Sequence, residues 1–459
     1  MAIDPGIFRA YDIRGKVGPS ITTEVAEALG RAFGTYVAEH EGGTEVVVGR
    51  DNRASGPELK DALMRGLVAA GCTVYDIGMT TSPGLYFAVG HWGLPGGINV
   101  TGSHNPADEN GFKLVGKGNR PIAGDEILDV KKIIDAGAYR SGSGRIIERD
   151  HKPEYFAHLK SATKLARPFR VAVDTGNGVA GLYAPPLLRE IGCDVVEIHT
   201  ELDNTYPNHL PDPQMPENVV CLQQKVREAK ADLGLAFDGD GDRLGVIDER
   251  GERHEAEYIL MLLARALLQQ QPGAKIIVDV KTAQPVMDDI AAHGGEPVVS
   301  RTGHSFIKIK MREDNAPLAG EASGHLFYQE NFYSDDALFA ACKLLTYLSQ
   351  SDRPFSAHLA GIPKWFTSPE LRVPCADDKK WAVVDAVAAE LRQRHPSLEI
   401  DGIRATFPDG WALIRASNTG PNLTLRFEAQ SQAGLDAIDA EVMGVLRKHL
   451  PGAQVSSAH

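Results

Sequence analysis

Three tandem, related α/β domains with mixed sheets, followed by a smaller C-terminal α+β domain, are predicted on three observations. An apolar strand, a polar turn, a helix-like stretch, a glycine and a second strand recur three times along the chain. Beyond Ile362-Pro-Lys364 that plan gives way to alternating strands between two amphipathic stretches. The 459 residues, at about 150 per domain, have room for such units.

The first unit runs Glu45-Val-Val-Val-Gly-Arg-Asp51 and later Gly71-Cys-Thr-Val-Tyr-Asp-Ile77. The second runs Arg170-Val-Ala-Val-Asp174 and later Gly192-Cys-Asp-Val-Val-Glu-Ile198. The third runs Lys275-Ile-Ile-Val-Asp279 and later Gly294-Gly-Glu-Pro-Val-Val299. Short β-branched runs split by amphipathic stretches and a helix-ending glycine mark βαβ units with right-handed crossovers. The Gly-Cys-x-Val-x-x-Ile shared by the first two predicts separate homologous units instead of one continuous sheet. Arg140-Ser-Gly-Ser-Gly144 reads as a linker with a strand starting at Ile146, and Gly251 closes the second unit. The expected limits are therefore 1–148, 149–250, 251–364 and 365–459. In the last unit, residues 380–394 read as a helix, Gly410-Trp-Ala-Leu-Ile-Arg415 and Asn422-Leu-Thr-Leu-Arg-Phe427 as antiparallel strands, and 434–449 as a closing helix.

Composition excludes several classes. Hydrophobic residues at 43% and charged residues at 24% describe a globular chain, not a disordered or fibrous one. With 61 acids against 48 bases the net charge is −13, which argues against a nucleic-acid partner. Anions must then be bound by local concentrations of Arg, Lys and backbone N–H groups. Five dispersed cysteines without a CxxC pair fit a reducing compartment and no structural zinc. The N-terminus lacks an apolar signal region. The most apolar run, 258–268, contains Arg265 and is too short to span a bilayer. A cytoplasmic protein without a membrane partner is expected.

Two motifs stand at the centre of the chemistry. In Thr101-Gly-Ser-His-Asn-Pro106, a strand runs into a tight turn that projects the Ser103 hydroxyl. It is not a G-x-S-x-G elbow, and His104 is not expected to be its base, since neighbouring side chains on an extended backbone point apart. In Phe237-Asp-Gly-Asp-Gly-Asp-Arg243, three carboxylates on alternate residues can converge on one hard dication. Without a cation such a loop is costly to order. An EF-hand is excluded, because Arg243 stands where that loop needs glycine and strands flank the motif. Mg²⁺ is favoured, since it shares its ligands with phosphates.

Three further loops carry weaker signals. Gly176-Asn-Gly-Val-Ala-Gly181 is a literal G-x-G-x-x-G. The dinucleotide reading is set aside because Asp174 would approach the pyrophosphate and Pro185-Pro186 interrupts the helix that should follow. Gly320-Glu-Ala-Ser-Gly-His325 presents a carboxylate, a hydroxyl and an imidazole on alternate residues, a set suited to a polyol such as a sugar. Arg415-Ala-Ser-Asn-Thr-Gly-Pro421 offers a guanidinium, two hydroxyls and an amide, a nest for a phosphate, with Arg426 either reinforcing it or facing solvent.

In this order, the motifs resemble the α-D-phosphohexomutase family, most closely its bacterial phosphomannomutase/phosphoglucomutase branch. Phe8-Arg-Ala-Tyr-Asp-Ile-Arg-Gly15 and Asn110-Gly-Phe-Lys113 add to the likeness, which covers essentially the whole chain. The resemblance implies four domains around a central cleft and an active serine carried as phosphoserine. By the same resemblance Ser103 is the phosphoryl carrier, and Asp238, Asp240 and Asp242, completed by the Ser103 phosphate, bind Mg²⁺. Glu321, Ala322, Ser323, Gly324 and His325 form the sugar loop, while Arg415, Ala416, Ser417, Asn418 and Thr419 clamp the other phosphate. Tyr11, Arg14, Lys113, Arg243, Lys281 and His304 match further cleft positions. Ala322 departs from the Met often found in this branch.

The chemistry implied is transfer from phosphoserine to the free hydroxyl of a hexose 1- or 6-phosphate, through glucose or mannose 1,6-bisphosphate, which also serves as activator. Arg14, Lys113 and Arg243 would neutralise charge beside the metal, and Lys113 and His325 are the acid/base candidates. The family implies a monomer acting on small hexose phosphates. Phosphoglucosamine mutase is the second enzyme reading. From another class, the chain would be a sugar-phosphate-binding regulatory module switched at Ser103.

Overall fold

The computed structural model describes residues 3–417, 420–454 and the backbone of 456–457. Four sheets organise the chain. In the first, Glu45–Arg50 lies between Thr73–Met79 and Gly96–Val100, parallel to both, and Glu109–Gly116 returns antiparallel to Gly96–Val100. Ile13–Lys16 and Arg145–Glu148 close its edges.

The same four-strand arrangement recurs twice. In the second sheet Arg170–Asp174 pairs in parallel with Asp194–Ile198 and Leu233–Phe237, and Leu244–Asp248 returns antiparallel. In the third, Lys275–Asp279 pairs in parallel with Glu296–Ser300 and Leu318–Gly320, and Leu326–Tyr328 returns antiparallel. The sheets are mixed because the last connection is a reversal, too short for a crossover helix. The fourth sheet is antiparallel, built on Ile403–Phe407, Gly410–Ala416 and Asn422–Ala429, with the helices Lys380–Leu391 and Gln432–His449 packed on it.

The sequence-read linker is not free. Gly142 N and Gly144 N donate to Ala69 O and Val68 O, at 3.0 Å each, which docks 140–144 on a helix end before the strand Arg145–Glu148. Pro185 and Pro186 likewise do not break a helix. They stand in the first turn of Ala184–Glu190, where the missing N–H costs nothing.

One apolar cluster serves the second and third sheets together. At its centre is Ala256–Leu268, buried on nearly all sides, which explains why this run is the most apolar in the chain. Arg265 leaves the cluster to donate from Nε to Asp289 at 2.8 Å. Among the described residues no helix is long and apolar enough to cross a membrane.

Candidate active site

The three repeated sheets place the serine, aspartate and sugar-loop motifs at one topological position. The loop between the third strand and its antiparallel return is 101–108 in the first sheet, 238–243 in the second and 321–325 in the third. They meet at a cavity of about 1340 Å³, lined by Ser103, Lys113, Arg243, Glu321 and His325. Tyr11, Arg14, Lys281, His304, Ala322, Ser323, Arg415 and Ser417 line it too. Gly324 supplies the left-handed turn of its loop at φ 94°, and Ala416 is buried in its strand. Asn418 and Thr419 lie outside the described residues.

Ser103 is buried, with φ 50°. Its Oγ donates to Asp238 Oδ2 at 2.9 Å. The expectation that His104 points away is overturned: His104 Nδ1 lies 3.2 Å from Ser103 Oγ. The reason is the left-handed backbone at Ser103, which brings consecutive side chains to one side. Burial, then Arg243, hold the His104 imidazole well below its ordinary range, so it is neutral.

A buried ion pair builds the serine turn. Arg53 donates from NH2 to Ser103 O at 2.8 Å and to Asn105 O at 2.6 Å, and from Nε to Asp51 at 3.2 Å. Asp51 in turn accepts from Thr101 Oγ1 at 2.6 Å and Gly102 N at 3.2 Å.

All three carboxylates of the Asp loop are buried, and their oxygens lie within 4.8 Å of one another. Lys113 Nζ donates to Asp240 at 2.6 Å and Asp242 at 2.5 Å. Asp238 accepts from Asp242 N at 2.9 Å and Arg243 N at 3.1 Å. Burial, then Asp242 and Asp240, push the Asp238 carboxyl well up. Burial opposes ionisation of Asp240 too, but Lys113 holds it below its ordinary range. Asp240 Oδ1 and Asp242 Oδ1 are buried without a hydrogen-bond partner. One ammonium thus faces three carboxylates, and two orphaned oxygens remain. That donor set fits a hard dication.

The sugar-loop candidates are zipped to the Asp loop by an antiparallel bridge between Arg243 and His325. Arg243 Nε donates to His325 Nε2 at 3.1 Å, and His325 Nδ1 lies 2.9 Å from Asp335 Oδ2. Glu321 Oε1 accepts from Gly303 N at 2.6 Å, and burial first of all raises its carboxyl. His304 stacks 5.6 Å from His325 and edges Tyr11 at 5.0 Å. Arg415 also borders the cavity; its Nε donates to Asp401 at 2.8 Å while its Nη2 is buried without a hydrogen-bond partner. Arg426 borders the same cavity as this loop, and it donates to Glu257 at 2.8 Å, tying the fourth sheet to the helix Ala256–Leu268.

Four family descriptions match in order along the chain. They are the α/β/α domains I, II and III and the C-terminal domain of phosphoglucomutase/phosphomannomutase, at residues 5–141, 153–251, 255–366 and 370–445. This chain belongs to that family.

Relatives of the phosphohexomutase chain agree. A Pseudomonas aeruginosa phosphomannomutase/phosphoglucomutase is 43% identical over 434 residues, 94% of this chain and 93% of its own. A Neisseria meningitidis phosphoglucomutase is 41% identical over 449 residues, 96% and 97% of the two chains. The crystal structure of a Burkholderia thailandensis phosphoglucomutase/phosphomannomutase family protein superposes with a TM-score of 0.93 at 42% identity, covering 99% and 100%.

Sequence reading of this phosphohexomutase missed residues that act behind the loops. Asp335, in the short strand Ser334–Asp335, and the buried Lys308, in the helix His304–Asp314, stand in no motif, and Ser82, which donates to Asp240 at 2.5 Å, opens an ordinary helix. Asp51 and Arg53 were visible only as a charged turn after a buried strand.

Proposed function

We propose that this enzyme interconverts the 6- and 1-phosphates of mannose and glucose through phosphoserine at Ser103 and a hexose 1,6-bisphosphate. The observation that carries the reading is the Ser103 hydroxyl held against Asp238 at 2.9 Å, in a cavity that Arg415 and Ser417 also line. Those two groups suit the phosphate that is not reacting.

In the first step the bond from phosphorus to Ser103 Oγ breaks as a bond forms to the free sugar hydroxyl. The hydroxyl proton passes to a base and the serine oxygen regains one. Lys113 and His325 flank the transferring group and are the acid/base pair. Arg14, Lys113 and Arg243 neutralise developing charge. Asp238, Asp240 and Asp242, with the Ser103 phosphate, would hold Mg²⁺, which supplies further charge neutralisation when bound. Glu321, Ser323 and His325 read sugar hydroxyls. After the bisphosphate turns over, its other phosphate returns to Ser103 and the isomer leaves. Free hexose 1,6-bisphosphate primes an unphosphorylated chain.

Activity on both sugars is supported by relatives named phosphomannomutase/phosphoglucomutase at 43% and 42% identity. We further take the enzyme to be a cytoplasmic monomer, with units divided at 148, 250 and 364. A coupled assay on mannose, glucose and glucosamine 1-phosphates tests the reading. Turnover of the first two is expected, and turnover of glucosamine 1-phosphate alone would replace it with the phosphoglucosamine reading.

A further inference from the structure

In each of the three repeated units, the strand at one topological position leads into a buried aspartate that accepts from the backbone N–H two residues on. Asp51 accepts from Arg53 at 2.9 Å, Asp174 from Gly176 at 2.9 Å, and Asp279 from Lys281 at 3.2 Å. What else faces the carboxylate differs. In the first unit it is the Arg53 guanidinium and the Thr101 hydroxyl, and in the third it is the Thr282 hydroxyl. In the second it is two imidazoles: His199 Nδ1 at 3.3 Å and His209 Nε2 at 3.2 Å from the same Asp174 Oδ2.

One carboxylate and two imidazoles are a zinc-type ligand set. The spacing fits that use. Bonds of about 2.0–2.1 Å in a tetrahedral site put neighbouring donor atoms about 3.4 Å apart, close to both separations. The three donor atoms lie within 4.8 Å of one another.

The surroundings hold each group in place. His209 Nδ1 lies 2.9 Å from Leu210 O, leaving Nε2 as the atom that faces Asp174. A second ring nitrogen bound to a backbone carbonyl is how ligating imidazoles are oriented. His199 stands at φ 48°, a conformation non-glycine residues seldom adopt, and its carbonyl accepts from Asn177 N at 2.7 Å and Thr175 Oγ1 at 3.0 Å. None of the three residues lines the central cavity.

We propose that Asp174, His199 and His209 bind a transition-metal dication of the zinc class, at a site separate from the carboxylate triad. The ion would clip the 199–212 loop to the sheet. That loop backs the Asp triad, since Pro211 O accepts from Gly239 N at 3.2 Å.

Calorimetric titration of the full-length protein with Zn²⁺, in saturating Mg²⁺, tests the site. One zinc equivalent is expected, retained in Asp240→Asn and weakened by at least about 100-fold in His199→Ala and His209→Asn. Co²⁺ in place of zinc should give the intense visible bands of a four-coordinate ion, lost in the same two variants. Should His209→Asn fail to fold, His199→Ala, at the loop's rim, decides alone. Zinc uptake that survives His199→Ala but vanishes in Asp240→Asn would place the ion on the triad and overturn the proposal. No uptake by the unaltered protein would overturn it as well.

Discussion

Ser103 Oγ and Asp238 Oδ2 meet at 2.9 Å although the residues stand 135 positions apart. The contact joins the first repeated sheet to the second through equivalent loops. The backbones touch as well: a Cβ on Gly239 would lie 2.2 Å from Ser103 O. The phosphoryl-carrying candidate and the cation-binding candidate are thus one rigid assembly.

That closeness predicts a sharp effect for Gly239→Ala. The clash is with backbone, so no side chain can relieve it by rotating. Overpacking of this kind costs about 1–3 kcal/mol, and here it also separates Ser103 from Asp238. Denaturant unfolding should show the destabilisation, and mutase turnover should fall far more than that loss of stability explains.

The buried carboxylates predict dependence on a dication. Chelation should abolish turnover and Mg²⁺ should restore it. Asp240→Asn should lower kcat by about 10²–10³, because it removes the negative charge of one of the two carboxylates that hold Lys113. Steady-state assays before and after chelation check both; turnover unaffected by chelation would remove the metal from the mechanism.

Lys113 and His325 should each influence rate and pH profile. Replacing either with alanine should cost about 10²–10⁴ in turnover. Asp335→Asn should lower kcat with little change in KM, since Asp335 stands 2.9 Å from His325 Nδ1 and orients the ring. Unchanged rates and pH profiles in Lys113→Ala and His325→Ala would exclude both as acid or base.

Stability should fall in mild acid for a reason outside the cleft. Burial lowers the His151 imidazole from 6.5 to about 4, and its Nε2 lies 3.0 Å from Thr80 Oγ1. Between those values the unfolded chain binds the proton and the folded chain does not, so stability drops as pH falls from 6.5 toward 4. Fully developed, the loss is about 3 kcal/mol. Thermal unfolding across that window should show a shallower decline in His151→Gln than in the unaltered protein.

Much of this was legible from residues. The strands Arg170–Asp174 and Lys275–Asp279 reach one residue beyond their apolar runs at each end, as read from the sequence. The Asp loop was visible because three acids on alternate residues have few uses. What the repeat did not disclose was that the serine, aspartate and sugar loops are the same reversal in three sheets. The similarity of the units lies in the first two strands, whereas the functional loops have diverged in composition. His104 was misjudged because a positive φ at a serine leaves no trace in the sequence. Asp51, Arg53 and Asp335 escaped notice because isolated charges read as surface until burial is known.

The phosphoryl group on Ser103 is tested most directly by labelling. The purified enzyme is incubated with phosphate-labelled glucose 1,6-bisphosphate, then analysed by intact mass and peptide fragmentation before and after unlabelled glucose 1-phosphate is added. One labelled phosphate on Ser103 that passes to the sugar at the rate of turnover is predicted, with no turnover in Ser103→Ala. Label on another residue, or a Ser103→Ala enzyme as fast as the unaltered one, would contradict the account.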